Sequence, residues 1–343
     1  LRGRLQQLPR QERELTEILR QQGIKENLYL YLLQKREETA LSLAITEPNA
    51  RVIDPAQAGP PISLNPISLF ALAIFAGLML AVIFIALREL LDDKVRSEED
   101  IRAGTGIPLL GAVARHRGKT PIAISPGSRT PQAEMFRLLR TNLQFFTSEA
   151  DCPTTLITST TSGEGKTFTA VNLGIALALS GKKTVVVGLD LRKPRLEEYL
   201  QIGEEKPGIT NYLLGEMAPG DIIFPTPVAE LLSYVPSGPI PPNPAEILLS
   251  PRLRALFEYL AREYDHILID SSPIGLVADA LLLAPHVTNT LFVVQYNYTR
   301  KGMLQLLEDL HREEKLPRPS IVFNGVRFGK GYGYGYGYGY GYG

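Results

Sequence analysis

The residues best suited to chemistry form a short glycine-rich run at 162–167, Ser-Gly-Glu-Gly-Lys-Thr. Its two glycines allow backbone N–H groups to face a polyphosphate, and the lysine can reach the β- and γ-phosphates. The run departs from the general pattern G-x-x-x-x-G-K-[ST], because Thr160 stands at the first position. We therefore predict a nucleotide site. Its expected contact residues are Ser162, Gly163, Glu164, Gly165, Lys166, Thr167 and Phe168.

Two aspartates further along the chain are candidate metal ligands beside that run. Asp190 follows one apolar, strand-like stretch, and Asp270 ends another, where an acidic side chain adds nothing to packing. A carboxylate at that place can hold the water shell of Mg²⁺ in phosphate-loop enzymes. Either aspartate alone is explained equally well by a turn or a helix cap. Together with the run, they predict Lys166, Asp190 and Asp270 as catalytic residues, and Thr167, Asp190 and Asp270 as Mg²⁺ ligands.

A third reactive group lies at the end of the sequence, where six tyrosines alternate with glycine. They are Tyr332, Tyr334, Tyr336, Tyr338, Tyr340 and Tyr342. Glycine at every second position leaves no packing face and makes ordering costly in entropy, so we expect a mobile tail. Such a tail offers each phenol to a deep site without secondary structure to melt. The alternative is a low-complexity Gly/Tyr segment that promotes self-association.

Strands and helices must bring these groups together. Apolar strand-like stretches alternate with helical ones: strands at 156–158, 184–187, 267–269, 291–295 and 319–326, with helices from Lys166 and over 301–314. This alternation predicts an α/β fold with a mostly parallel sheet and a site at the carboxyl ends of its strands. Basic and acidic residues number 36 each, so no positive field favours nucleic acid. The single cysteine, Cys152, excludes an internal disulfide bond.

An uncharged run at 67–87 predicts a membrane-spanning helix. Its 21 residues are long enough to cross a hydrocarbon core of about 30 Å. A buried core helix is the alternative, but such helices are seldom apolar on every side. Four basic residues follow the run closely, whereas one lies in the twenty residues before it. The positive-inside rule therefore places the following part of the chain in the cytoplasm.

The part that precedes the span is expected on the outer side of the membrane. Helix-forming residues and leucines at helical spacing predict a long packed or coiled helix over 9–44. The prolines that follow favour an extended connection to the span. The sequence opens with Leu1 instead of Met, so we expect it to be part of a longer protein.

Taken in order, these motifs resemble those of the membrane-anchored bacterial tyrosine kinases, or BY-kinases, that are fused to a polysaccharide co-polymerase module. The matching stretches are SGEGKT (Walker A), VVVGLDLRKP (Walker A′), ILIDSSP (Walker B), PSGPIPPNPAEILLSPRL, PQAEMFRLLRTNL, RVIDPAQAGPPISLNP and KVRSEEDIRAGTGIPLLGAV. The resemblance covers residues 9–343. It implies an outer helical segment at 1–46, a proline-rich linker at 47–65, a transmembrane helix at 66–88, a cytoplasmic linker at 89–130, a P-loop kinase domain at 131–328 and a Gly/Tyr tail at 329–343.

The resemblance also implies an activity and partners. We expect an ATP- and Mg²⁺-dependent tyrosine autokinase in the bacterial inner membrane that phosphorylates a neighbour's tail and regulates exopolysaccharide or capsule polymerisation and export. The family pattern E-x-x-R-x-x-R falls on Glu134, Arg137 and Arg140 and implies a homo-oligomeric ring. Their spacing alone is explained equally well by a solvated helix face with one ion pair. Other implied partners are the polysaccharide machinery, a tyrosine phosphatase and membrane lipid, but no nucleic acid.

Two positions distinguish this chain from its relatives. Gly188 stands where the family usually has the first Walker A′ aspartate, which is thought to help remove the tyrosine proton. Phosphoryl transfer depends mostly on positioning and charge neutralisation, so this loss need not abolish activity, and Asp190 remains as metal ligand and base. A catalytically weak co-polymerase that acts as an assembly switch is the alternative. A partitioning-type ATPase is disfavoured, because Thr161 replaces the second lysine of that class.

Overall fold

The computed structural model describes residues 8–45, 65–90, 92–118, 120–203 and 206–327. The chain divides into two compact units, Leu1–Ala81 and Val82–Gly343. The predicted linker at 47–65 falls almost wholly outside the described residues, and the six tail tyrosines lie outside them.

Two long helices occupy the described part of the first ninety residues. Helix α1, Leu8–Ile45, confirms the helix predicted over 9–44, and its described side chains are exposed along nearly its whole length. Helix α2 is Pro66–Leu90. Within it, Ile67–Arg88 is the one stretch of the described chain that is apolar and long enough to cross a membrane. Its side chains lie on the surface, which suits contact with lipid.

The remaining elements alternate along the chain. The further helices are α3 (Glu98–Gly104), α4 (Pro131–Phe146), α5 (Lys166–Ala178), α6 (Leu196–Leu200), α7 (Ile209–Leu214), α8 (Pro244–Leu248), α9 (Pro251–Glu263), α10 (Asp279–Leu283) and α11 (Lys301–Arg312). The strands are β1 (Leu109–Ala114), β2 (Thr154–Ser159), β3 (Thr184–Leu189), β4 (Phe224–Pro225), β5 (Leu232–Val235), β6 (His266–Ser271), β7 (Asn289–Gln295) and β8 (Pro319–Val326).

The strands form one sheet of eight in the order β1-β8-β7-β2-β6-β3-β5-β4. All neighbours are parallel except β4 and β5. Every residue of β2, β3 and β6 is buried, as expected for parallel strands covered on both faces. The predicted α/β fold with a mostly parallel sheet is therefore confirmed.

Helices cover both faces of this sheet. Along β6, Ile267 and Ile269 join one apolar cluster with residues of α9 and α11, and Leu268 joins the other with residues of α4 and α5. This alternation follows from the two-residue period of a strand. Asp270 therefore lies on the same side of the sheet as Leu268, which is the side covered by α5.

The structure differs from the sequence prediction in the segment 89–130. This segment was predicted as a linker, but it contains α3 and β1, and β1 pairs in parallel with β8 at the edge of the sheet. The strand reads Leu-Leu-Gly-Ala-Val-Ala, and its small residues give only a weak strand signal. Burial against α4, which its sequence does not show, selects the strand.

Candidate nucleotide-binding site

A loop at 160–165 joins β2 to α5 and has the backbone geometry of a phosphate cradle. Gly163 and Gly165 adopt positive φ angles of 90° and 96°. A Cβ at Gly165 would lie 2.1 Å from the side-chain nitrogen of Asn324, so a larger residue would have to displace that side chain as well as adopt an unfavourable φ angle. Helix α5 then begins at Lys166, and its first backbone N–H groups have no partner within the helix. Loop and helix end together can bind an anion.

The side chain of Glu164 points into the loop itself. It is fully buried and accepts hydrogen bonds from the Thr160 hydroxyl at 2.9 Å, the Thr161 backbone N–H at 2.8 Å and the Thr299 hydroxyl. The Asn324 amide donates to the Glu164 carbonyl oxygen at 2.9 Å. The departure from the general pattern at Thr160 thus has a physical reason, since its hydroxyl holds this carboxylate. Any contact of Glu164 with a nucleotide would come from its backbone.

Two aromatic residues flank the loop. Phe168 is buried, with ring-centroid distances of 5.8 Å to His116 and 5.7 Å to Phe136, so its predicted nucleotide contact would also come from the backbone. Tyr298 follows β7, and its hydroxyl donates to the Ser162 carbonyl oxygen at 2.9 Å. Sequence reasoning missed Tyr298, because a partly exposed tyrosine after a strand gives no signal of a loop contact.

Thr167 and Asp270 meet beneath the loop. The Thr167 hydroxyl donates to Asp270 Oδ2 at 2.7 Å, whereas Oδ1 is buried and has no hydrogen-bond partner among the described residues. Burial raises the pKa of the Asp270 carboxyl to about 7, while the Thr167 hydrogen bond and the Lys166 charge act in the opposite direction. The nearby carboxylates of Asp190 and Glu197 add to the rise in this pKa. Both the free oxygen and the costly negative charge would be satisfied by a bound cation.

The hydroxyl of Thr167 and the carboxylate of Asp270 fit an Mg²⁺ ion whose remaining ligands are water and phosphate oxygens. No group of three or more His, Cys, Asp or Glu residues in the described ranges could hold a metal ion by itself. Mg²⁺ commonly takes one or two protein oxygens and completes its shell with water and phosphate. Thr167 and Asp270 are in contact, and Asp190 contributes to the field at Asp270; the role of the three as Mg²⁺ ligands stays a prediction.

The Walker A′ position lies beside Asp270 in the sheet. β6 runs between β2 and β3, and Asp270 is paired with Ile157 on one side and Gly188 on the other. The Ser237 hydroxyl donates to the Gly188 carbonyl oxygen at 2.9 Å. A Cβ at position 188 would lie 2.9 Å from that hydroxyl oxygen and 3.3 Å from the Ser237 backbone nitrogen. The loop after β5 therefore occupies the space that a side chain at position 188 would need.

An ion pair missed by sequence reasoning fixes the segment after β3. Arg192 Nε and Nη2 donate to the two carboxylate oxygens of Asp279 at 2.7 and 3.0 Å. Asp279 is nearly buried at the start of α10 and also accepts from the Ser272 hydroxyl at 3.2 Å. This pair raises the pKa of Arg192 further. Two residues before Arg192, Asp190 accepts from the Lys193 backbone N–H at 3.1 Å, which completes the turn.

The three residues of the predicted ring pattern lie elsewhere, on α4. Arg137 forms an ion pair with Glu134 and donates to the Ser128 carbonyl oxygen at 2.6 Å. Arg140 donates to the Ala176 carbonyl oxygen at 3.4 Å. None of the three contacts the loop at 160–165 among these interactions, so the structure groups them apart from the nucleotide residues.

The fold and site define a class of protein. A glycine-rich loop between a central parallel strand and a helix, with a buried aspartate on the adjacent strand, is the arrangement of P-loop nucleotide-binding domains. Residues 155–330 match the family model described as the CobQ/CobB/MinD/ParA nucleotide binding domain. Residues 10–90 match the G-rich domain on putative tyrosine kinase.

Similar proteins of known class show which kind of P-loop protein this chain resembles. The chain is 30% identical over 315 residues to tyrosine-protein kinase wzc of Salmonella typhi, across 86% of this chain and 43% of that protein. It is 36% identical over 193 residues to tyrosine-protein kinase CpsD of Streptococcus agalactiae, across 56% of this chain and 83% of that one. The solved kinase domain of Escherichia coli tyrosine kinase ETK is similar in structure, with a TM-score of 0.61 and 26% identity, across 71% of this chain and 100% of that domain.

The chain belongs to the CobQ/CobB/MinD/ParA nucleotide-binding family and, within it, to the bacterial tyrosine kinases. It spans less than half the length of the Salmonella relative.

Proposed function

We propose that this protein is an ATP-dependent tyrosine kinase that phosphorylates the tail tyrosines 332–342 of a neighbouring copy. The observation that carries the proposal is the buried pair Thr167 and Asp270, with its 2.7 Å hydrogen bond and its unpartnered Oδ1. A structural aspartate would have both oxygens satisfied. An oxygen left free beneath a phosphate cradle supports a cation and a nucleotide triphosphate as the ligands.

Each residue then has a role. The backbone N–H groups of 163–167 bind the phosphates, and Lys166 neutralises charge on the transferred group. Thr167, Asp190 and Asp270 would hold Mg²⁺, which would neutralise negative charge on the phosphates. Asp190 is also the carboxylate we assign as the proton acceptor for the tyrosine hydroxyl, since Gly188 provides none.

The direct test is an incubation of the purified full chain with γ-labelled ATP and Mg²⁺. We expect label on tyrosine, and most of it lost when the six tail tyrosines are changed to phenylalanine. Release of free phosphate without labelled protein would instead indicate an ATPase. Label that persists in the phenylalanine variant would show that the tail is not the main acceptor.

One observation favours a second function, a weakly catalytic co-polymerase that uses the nucleotide as an assembly switch. Ser237 closes over Gly188, so a second carboxylate has no space beside Asp270. Nucleotide binding that changes the oligomer mass without any transfer to tyrosine would support this alternative.

The proposed surroundings are a bacterial inner membrane and an exopolysaccharide or capsule assembly system. The apolar helix at 67–88 and the match of residues 10–90 to the G-rich domain support a membrane anchor. The basic residues that follow the helix favour a cytoplasmic position for the nucleotide domain. The polymerase and export machinery, a tyrosine phosphatase and membrane lipid are the proposed partners. The orientation across the membrane can be tested in a Cys152→Ser background with a single engineered cysteine, placed either at residue 40 or at residue 254. An impermeant thiol reagent added from outside would then react only with the cysteine that lies on the outer side.

We also propose that copies assemble into a ring through Glu134, Arg137 and Arg140. All three lie on one helix, and Glu134 is largely exposed, with 60% of its side-chain surface accessible. Changing the three to alanine should leave nucleotide binding intact, lower the mass measured by light scattering and slow the labelling of one copy by another. An unchanged mass would exclude this surface as the subunit contact.

A further inference from the structure

A cavity of about 300 Å³ lies between α4, the C-terminal end of α5 and the segment 124–127. It shares no lining residue with the nucleotide site. One wall is apolar and includes Ile124, Pro126 and Leu179, and two cationic side chains, Arg137 and Arg140, also line the cavity. Its size, at the lower end of small-molecule cavities, suits one side chain of a partner segment.

The two arginines differ in how many hydrogen-bond partners they already have. Arg137 already has an ion pair with Glu134 and a backbone acceptor at Ser128. Arg140 makes one long bond of 3.4 Å to the Ala176 carbonyl oxygen, and its Nε is buried without a hydrogen-bond partner in the described part of the chain. A buried donor left unsatisfied is costly, so this guanidinium is suited to a ligand with strong acceptor oxygens.

The lining selects the chemistry of that ligand. A phosphate group accepts two parallel hydrogen bonds from a guanidinium, and two adjacent arginines match its double charge. The apolar wall offers contact area to a ring. An aryl phosphate therefore fits both parts of the cavity, whereas inorganic phosphate or an alkyl phosphate leaves the wall formed by Ile124 and Leu179 uncovered.

The chain carries six groups that would become aryl phosphates, and it leaves the described domain close to this cavity. Arg115 donates from its backbone N–H to the Val326 carbonyl oxygen at 3.0 Å, and its own carbonyl oxygen accepts from the Gln132 side chain at 3.5 Å. Gln132 is in the first turn of α4, and Arg137 lies five residues further, or about 8 Å along the helix. Tyr332 is six residues beyond Val326, which is a reach of up to about 20 Å.

We propose that this cavity binds phosphotyrosine of the chain's own tail, with Arg140 as the principal phosphate contact and Arg137 as the second. The proposal rests on the proposed tyrosine kinase function. The same arginines are the predicted ring residues, so a bound phosphotyrosine would withdraw them from the contact between subunits. Phosphorylation of the tail would then dissociate the ring by direct competition for these two side chains, in addition to charge repulsion between modified tails.

The test uses the full chain in detergent with all six tail tyrosines changed to phenylalanine, so that no endogenous tail competes. Saturating Mg·ADP fills the nucleotide site. The probe is a fluorescent synthetic peptide, Gly-pTyr-Gly-Tyr-Gly, followed by anisotropy. We expect it to bind at least tenfold more tightly than its unphosphorylated form and than the matching phosphoserine peptide. Arg140→Met should weaken its binding at least tenfold.

Two controls separate this binding from general charge and from ring assembly. Arg254→Met removes an exposed arginine that pairs with Glu258 on α9, and it should leave the affinity unchanged. Glu134→Gln removes a ring residue that competes for Arg137, so it should retain or strengthen peptide binding while lowering the oligomer mass. If Arg140→Met melts early, Arg137→Met serves as the second variant, with an expected loss of about threefold or more.

Equal binding of the phosphotyrosine and phosphoserine peptides would overturn the proposal, because the apolar wall would then contribute nothing. Equal loss in the Arg254 variant would overturn it as well. The peptide is synthetic, so its binding does not depend on kinase activity. A chain that binds the peptide but never labels its own tail would refute the kinase function, and with it the tail as the natural ligand, while the cavity would still stand as a phosphotyrosine site.

Discussion

The charge on Asp270 should make the stability of the nucleotide-free protein depend on pH in an unusual direction. Most native carboxylates are stabilised in their charged form, but burial raises the pKa of Asp270 from 3.8 to about 7. The folded state therefore holds this proton more tightly than the unfolded state. The contribution to stability is full below pH 3.8 and is lost as the pH rises through about 7.

The size of the stability change follows from the shift in the pKa of Asp270. About three pKa units correspond to up to about 4 kcal/mol of unfolding free energy, lost between about pH 4 and pH 7 and constant above. Asp270→Asn keeps an oxygen acceptor for the Thr167 hydroxyl but cannot ionise. The variant should therefore lack this slope and, without metal, should be more stable than the natural protein above pH 7.

The assay is urea unfolding of the fragment 92–343 at half-unit steps from pH 4 to 8, in EDTA and then in Mg·ADP. The difference between natural protein and variant isolates Asp270 from all other titrating groups. Mg·ADP should restore the stability of the natural protein at high pH and should have much less effect on Asp270→Asn. A difference that stays constant from pH 4 to 8 would refute the argument that Asp270 is a buried carboxyl waiting for a cation.

Three further outcomes are expected. Lys166→Met should reduce tyrosine labelling below a tenth of the natural rate with an unchanged melting temperature, because the lysine acts on phosphate charge. Labelling above that level would count against the assigned nucleotide site. The Gly188→Asp side chain should be strained by Ser237, so adding Ser237→Ala should raise the rate of tyrosine labelling about tenfold over Gly188→Asp alone. Equal rates would show that the Ser237 hydroxyl is not what obstructs an aspartate at position 188. Asp279→Asn should release Arg192 and lower kcat/KM for ATP about ten- to a hundredfold, while a change in melting temperature alone would mark the pair as purely structural.

The sequence predicted the site where local pattern and chemistry coincide. Glycines at 163 and 165 have the positive φ angles that a phosphate loop needs, and Thr167 and Asp270 are in contact as their places after parallel strands imply. The strands β2, β3, β6, β7 and β8 were predicted within a few residues, because continuous apolar runs mark buried parallel strands, whereas β1 was missed. The roles of Lys166, Thr167, Asp190 and Asp270 toward nucleotide and Mg²⁺ stay predictions, since they concern a bound ligand.

The sequence could not predict side-chain directions. Glu164 stands between two glycines in a nucleotide loop, and nothing in that pattern indicates that its carboxylate turns inward to Thr160 and Thr299. Gly188 reads as a lost aspartate, yet its neighbour Ser237 shows that the surrounding loop is shaped to the glycine. Such facts depend on residues far away in the sequence, which local propensity does not report.

The segment after the apolar helix shows this limit most clearly. Val95, five residues after α2 ends, donates to the Thr299 carbonyl oxygen at 2.9 Å and accepts from the Asn297 N–H at 2.8 Å. The Thr299 hydroxyl in turn holds the carboxylate of Glu164 inside the phosphate loop. Val95 belongs to the segment that the sequence predicts as a linker next to the membrane. Only one residue, Thr299, stands between it and the loop at 160–165. Because Val95 and Thr299 lie about two hundred residues apart in the sequence, only the folded domain brings them together, and a displacement of Val95 would act on Thr299, whose hydroxyl holds the loop that we propose for nucleotide binding.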